Sequence, residues 1–185
     1  MNLYRTIAPL ERVMVSARVT KTPAFSLVGK DMVYSEATVV LAFNDFALFS
    51  LVSSSFQEFW AWKNSSTMKG DRRYSVSGAF ETFPFPPGFE LSLQGKSSTS
   101  FRLLDELGER LHEGRRALMT TLDIGLTSLY NLYHDPDLSD ESVVKTAKCS
   151  GEEASRARKE IEGLRDLHVR IDEAVRDAYG WGDIA

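Results

Sequence analysis

GDRRYSVSGAFETFPFPPG, residues Gly70 to Gly88, sets an arginine pair and a β-type run directly against a proline-punctuated aromatic stop. Tyr74, Val76, Ala79 and Phe80 read as a pleated run behind Arg72 and Arg73. Pro84, Pro86 and Pro87 end any ladder, because proline has no backbone donor. The two guanidiniums carry fork-shaped donors that suit guanine edges or phosphates. The same pattern also describes a surface hairpin with two solvated arginines, so the segment alone leaves function open.

Upstream, residues 12–20, RVMVSARVT, alternate Val13, Val15, Ala17 and Val19 with Met14, Ser16 and Arg18, the period of a half-buried strand. A second β-rich run extends from Met32 to Phe43. Asn44-Asp45 then caps a helix over DFALFSLVSSSFQEFWAW, in which Phe46, Phe49, Val52, Phe56 and Phe59 form a core-facing stripe with Ser53, Ser54 and Ser55 near the middle. KNSSTMKGDRR is a loop by composition.

Downstream of the stop, the Pro, Gly and Ser content of Gly88 to Ser98 marks a module boundary, and strand patterning disappears beyond it. A helix after Ser100 carries a seam of Leu104, Leu107, Leu111 and Leu118, with Gly114 at the missing inward position permitting close helix approach. A short helical stretch follows over Leu126 to Tyr133 and breaks at Asp135-Pro136. Ser150 and Glu153 have capping-box spacing. The helix they open places Ile161, Leu164, His168, Ile171, Val175 and Ala178 on one seam. The fold class is therefore α+β. A small β-rich module with one packed helix occupies residues 1–90, a linker residues 91–98, and a C-terminal helical hairpin or bundle residues 99–185.

The 185 residues are 43% hydrophobic and 26% charged, an ordinary globular balance. The single cysteine, Cys149, makes no internal bridge and fits a reducing cytoplasm. With three scattered histidines it supplies no metal ligand set. No secretory leader pattern and no apolar run of spanning length is visible, so a soluble, cytoplasmic protein with no membrane partner is expected. The net charge of −4 is uneven: residues 1–90 hold nine Lys and Arg against eight Asp and Glu, and residues 91–185 hold thirteen against eighteen. A mildly basic first half can touch phosphates locally, but needs a more basic partner to hold DNA at physiological salt.

No glycine-rich nucleotide loop, HExxH, CxxC or GxSxG motif is present, and the carboxylates after Ser100 fall beside Arg or Lys on helix faces. No catalytic or metal-binding residue is nominated. His168 reads as a satisfied seam histidine, and an enzyme built on His112, His134 or His168 has no supporting pattern.

Five blocks in order, VTKTPAFSLV (19–28), LFSLVSSSFQEFWAW (48–62), RRYSVSGAFETFPFP (72–86), LTSLYNLYHDP (126–136) and LRDLHVRIDEAVRDAYGW (164–181), span most of the chain. Together they resemble the C-terminal target recognition domain and helical tail of type IIG/IIL (MmeI-like) restriction-modification DNA methyltransferases. The resemblance implies sequence-specific recognition of double-stranded DNA in the service of adenine-N6 methylation, with S-adenosylmethionine as donor in the intact enzyme. The NPPY-type, S-adenosylmethionine and nuclease motifs that the family carries upstream are missing here. No enzymatic activity and no cofactor are therefore expected of this chain by itself, and a methyltransferase core domain or subunit is the implied partner. In this light Arg72 and Arg73 are the first candidates for base or phosphate contact, supported by Lys69, Lys63 and Ser75, with Lys21 in the second tier. The acidic helical half would pack its outer face against the methyltransferase core or the recognition domain and set how the readout surface sits. Trp181 is a docking anchor or a local packing residue. The alternative is a protein-interaction module whose helical half docks a partner and which binds no DNA.

Overall fold

The computed structural model describes residues 3–68, 71–90 and 99–182. The fold is α+β, two small antiparallel sheets with helices before, between and after their strands in the chain. Contacts divide the chain into two compact units, Met1–Gly108 with Ile171–Ala185, and Glu109–Arg170. The expected boundary at residues 91–98 lies outside the described residues. Residues 171–182 group with the first unit.

In the first unit, β1 (Arg12–Ala17) is the centre of a sheet ordered β3-β1-β4, with β3 at Ser26–Gly29 and β4 at Thr38–Leu41. Both faces of β1 are covered near its middle, where adjacent Val13 and Met14 are fully buried. Met14 pairs with Leu27 on one side and Leu41 on the other, and all three are buried. Ala17, expected on one face with Val13 and Val15, is exposed, while Ser16 beside Val39 is buried. The expected strand from Met32 to Phe43 shortens to β4, and β3 arises from a stretch not read as a strand.

The first strand does not continue to Thr20. At Arg18 the chain changes sheets: its N–H donates to the Ala37 carbonyl at 2.8 Å, and its own carbonyl accepts from the Tyr74 N–H at 2.8 Å. Beyond it, β2 (Val19–Thr20) joins a second sheet ordered β2-β6-β5, with β5 at Ser66–Met68 and β6 at Asp71–Arg73.

After α1 (Leu3–Ile7), the expected single helix over the Phe stripe is two helices, α2 (Phe46–Ser53) and α3 (Ser55–Asn64). Asp45 caps α2 by accepting the Leu48 N–H at 2.8 Å. Ser54 makes the break. Its hydroxyl donates to the Leu51 carbonyl at 2.7 Å and accepts the Gln57 N–H at 3.4 Å, closing one helix and capping the next. The break rotates the second half of the stripe, so Phe59 is 70% exposed, not core. The pleated run expected over Val76 to Phe80 is instead a π-helical turn capped by Ser75, whose Oγ accepts the Gly78 N–H at 3.1 Å.

The proline stop builds an aromatic train. Phe80 and Phe83 meet Phe85 edge-on at 5.6 and 5.2 Å, Phe85 stacks on Phe89 at 4.5 Å, and Phe89 meets Phe101 at 6.1 Å. Gly88, at φ +83°, makes the left-handed turn that returns the chain to it. Tyr179 donates its hydroxyl to the Pro84 carbonyl at 2.6 Å and stacks on Trp181 at 4.3 Å, which tilts toward Phe56 at 6.1 Å. The terminal tryptophan thus packs on its own unit, 41% exposed.

Two long helices, α4 (Thr99–Leu122) and α7 (Gly151–Ala178), pass through both units. In the first unit Leu104 and Leu107 are buried, and the Ser50 hydroxyl donates to the Leu104 carbonyl at 2.6 Å. In the second unit, α5 (Leu126–Tyr133) ends where expected, and α6 (Asp140–Ala147) is an additional helix with a Ser139–Ser142 capping box. Ser150 and Glu153 make the expected capping box at the start of α7. The inward position assigned to Gly114 is filled by the next residue: Arg115 is buried and donates to the Tyr130 hydroxyl at 3.1 Å, while a Cβ on Gly114 would meet nothing within 4 Å.

Candidate nucleic-acid interface

The β2-β6-β5 sheet carries the arginine pair. Successive side chains of a strand leave opposite faces, and the two arginines accordingly separate. Arg72, paired with Thr20 and Thr67, is 5% exposed. Its guanidinium carbon lies 4.5 Å from the centroid of the Trp62 ring, and Nη1 makes a long 3.5 Å bond to the Glu58 carbonyl. Burial holds its pKa below the ordinary arginine value, opposed by the Glu58 carboxylate. Trp62 covers Arg72 and is itself 58% exposed, three residues from exposed Phe59 on α3. Arg73, between Val19 and Ser66, is exposed.

Arg73 lines a cleft of about 450 Å³ together with Arg18, Ser66, Tyr74 to Ser77 and Glu81. Tyr74 forms its buried wall: the ring meets Phe25 edge-on at 5.4 Å and its hydroxyl accepts from Gln57 at 2.7 Å. Burial drives that phenol well above its ordinary pKa, so it stays protonated. Ser75 is half-buried, its Oγ capping the π-helical turn and its N–H donating to Ser65 Oγ at 3.3 Å. Lys63 is exposed in the last turn of α3, where a cation also complements the helix dipole. Lys21 is exposed in the turn after β2. Among the described residues no ion pair engages Arg73, Lys21 or Lys63. Lys69 lies outside the described residues.

The sheet therefore brings Arg73 and Ser75 to one cleft, turns Arg72 into the protein, and leaves Lys21 and Lys63 on flanking elements. Arg18, Ser66 and Ser77 were not anticipated. The one signal for Arg18 was a charge interrupting a strand of small and apolar residues, which in the structure is where the chain changes sheets.

The second unit holds the histidines. His168 Nε2 lies 3.2 Å from the Tyr130 hydroxyl, which also receives the Arg115 bond, and His134 closes α5 through its backbone N–H. Tyr133 packs against both His134 and His168. These rings form a packed polar cluster. Among the described residues no group of three His, Cys, Asp or Glu side chains could hold a metal ion. All strand pairings described are antiparallel. The parallel strand-helix crossover that seats a nucleotide-like cofactor at strand ends is thus not among them. No described helix is long and apolar enough to cross a membrane. No family model, curated protein or solved structure matches the chain.

Proposed function

We propose that this chain is the sequence-specific DNA target recognition part of a restriction-modification adenine-N6 DNA methyltransferase, acting in the cytoplasm with the catalytic domains supplied by a methyltransferase core. The observation that carries the reading is the cationic surroundings of one small sheet. Arg73 is exposed on β6, and Lys21 and Lys63 are exposed on the elements that enter and flank it. Long-range attraction brings these side chains to the phosphate backbone, and an outward arginine then has the fork geometry to read a guanine edge in the major groove. Arg72 serves from beneath, holding Trp62 and the end of α3 against β6.

The block resemblance supplies the reaction class, and the sheet supplies a surface that suits its recognition step. A base to be methylated must leave the stack, so the recognition part contributes placement and the core contributes chemistry. The test is fluorescence anisotropy of a random-sequence duplex pool at low and moderate salt, with wild type and with Arg73→Ala combined with Lys21→Ala and Lys63→Ala. Salt-sensitive binding that the triple variant loses is the expected result. No binding at low salt, with or without the core, refutes the reading in favour of a protein-interaction module.

A further inference from the structure

Arg18 was not among the expected contacts, yet it sits where the two sheets of the first unit join. Its backbone is bound on both sides, to Ala37 and to Tyr74, so the Cα is fixed and only the side chain is free to respond to a ligand. That side chain lines the same cleft as Arg73. Its Nε is buried and has no hydrogen-bond partner among the described residues. A buried guanidinium donor without an acceptor is costly, so the side chain gains by turning toward an acceptor in the cleft. The cleft around it offers further donors: the hydroxyls of Ser66, Ser75 and Ser77. Ser75 and Ser77 Oγ share a hydrogen bond at 3.5 Å in which either can donate, which leaves one hydroxyl proton of the pair for an outside acceptor. One carboxylate, Glu81, also lines the cleft and is exposed. Two guanidiniums against one carboxylate leave net positive charge in a recess lined by hydroxyls.

We infer that the cleft between Arg18 and Arg73 is a phosphate oxyanion site. Arginine is suited to it because its planar fork matches two oxygens of a tetrahedral oxyanion at once. Serine hydroxyls fill the remaining lone pairs. Two sources share this chemistry, a phosphodiester of the DNA backbone and free inorganic phosphate. The cleft itself stands independently of the proposed recognition function, and only the assignment to the DNA backbone rests on it. In that case Arg18 fixes the register of the sheet on the duplex without reading sequence, which phosphate contacts do not do.

The experiment has two arms on the full chain. In the first, sodium phosphate replaces sodium chloride at constant ionic strength while the melting temperature is followed. Phosphate is expected to raise it for wild type, to lose that effect in Arg18→Gln and Ser77→Asp, and to raise it further in Glu81→Gln. In the second, duplex affinity is measured across a salt series. Arg18→Gln is expected to make the slope of log K against log salt shallower by about 0.9, the share of one phosphate, with the same loss for unrelated duplex sequences. A phosphate response with an unchanged duplex slope supports the site and names free phosphate as its ligand. A phosphate response in a chain that binds no duplex supports the site and removes the recognition reading. Ser77 is exposed on the turn, so Ser77→Asp reports in both arms should Arg18→Gln fail to fold. A melting temperature indifferent to phosphate, together with wild-type duplex slopes in Arg18→Gln and Ser77→Asp, overturns the inference.

Discussion

Two glycines of α4 six positions apart receive the same substitution and respond with opposite sign. In an exposed helix interior, Gly→Ala gains about 1 kcal/mol from backbone entropy and propensity. At Gly114 a Cβ would meet nothing within 4 Å, so that gain is the whole effect. At Gly108 a Cβ would fall 2.1 Å from the Phe46 carbonyl oxygen, 2.9 Å from its carbonyl carbon and 2.8 Å from Ser50 Oγ. The serine can rotate, but the α2 backbone cannot, and reaching the ordinary contact of 3.4 Å requires the two helices to part. Parting strains the buried bond from Ser50 to the Leu104 carbonyl, 2.6 Å long. Overpacking costs about 1–3 kcal/mol and a buried hydroxyl left without its acceptor another 1–3, from which the propensity gain is subtracted. Gly108→Ala is therefore expected to lose roughly 1–5 kcal/mol, and Gly114→Ala to gain up to about 1. Urea unfolding followed by circular dichroism, with midpoints and m-values for each variant, measures both. Equal midpoints for the two variants would refute the assignment of Gly108 as the close approach.

Ser54→Ala removes the hydroxyl that caps α3 and is expected to cost about 0.5–2 kcal/mol in the same urea assay. Ser53→Ala, which deletes a buried hydroxyl with no partner among the described residues, should be neutral or stabilising. Asp172 accepts the Ser55 N–H at 2.8 Å, and burial raises its carboxyl above the ordinary 3.8 despite that bond. The folded chain thus holds this proton to higher pH than the unfolded chain, and the group's contribution to stability is lost as pH rises from 3.8 through the raised value. Asp172→Asn keeps the acceptor and removes the titration, so its stability relative to wild type should climb with pH across that window in urea titrations. A difference independent of pH would contradict this. Arg72→Ala, stripping the cation beneath Trp62, is expected to lose about 1–2 kcal/mol. Arg73→Ala should stay within about 0.5 kcal/mol of wild type in stability while losing duplex affinity, read by urea midpoint and anisotropy side by side.

The features legible from the residues alone were those whose cause is local. Asp45 and the Ser150–Glu153 box cap helices because their side chains reach backbone donors within one turn, and Asp135-Pro136 ends α5 because proline has no donor to continue it. The outcomes that differed depend on groups distant in sequence. Ser54 breaks its helix where Asp172, 117 residues from Ser55, supplies a carboxylate to the new N-terminus. The burial of Met14 on β1 depends on Leu27 and Leu41 on its neighbours. Gly108 and Gly114 are alike in sequence pattern, and only the position of the Phe46 carbonyl tells them apart. The packing of Tyr179 on Pro84 joins residues 95 apart, a contact that no periodicity encodes.

The arginine pair combines both kinds of information. Once Asp71–Arg73 is a strand, its period of two forbids Arg72 and Arg73 from sharing a face, and this much follows from local pattern alone. Which of the two turns outward does not, because it depends on what packs behind the sheet. Tyr74, two residues from Arg72, is buried against Phe25 and Gln57, which commits the even-numbered face to the interior and releases Arg73. The same commitment brings Arg18 beside the cleft, since the Tyr74 N–H is the group that holds the Arg18 carbonyl. An aromatic core residue thus positions both cations of the cleft whose inner wall it forms. Substituting Tyr74 should therefore weaken anion binding and stability together, whereas Arg18 and Arg73 should separate them.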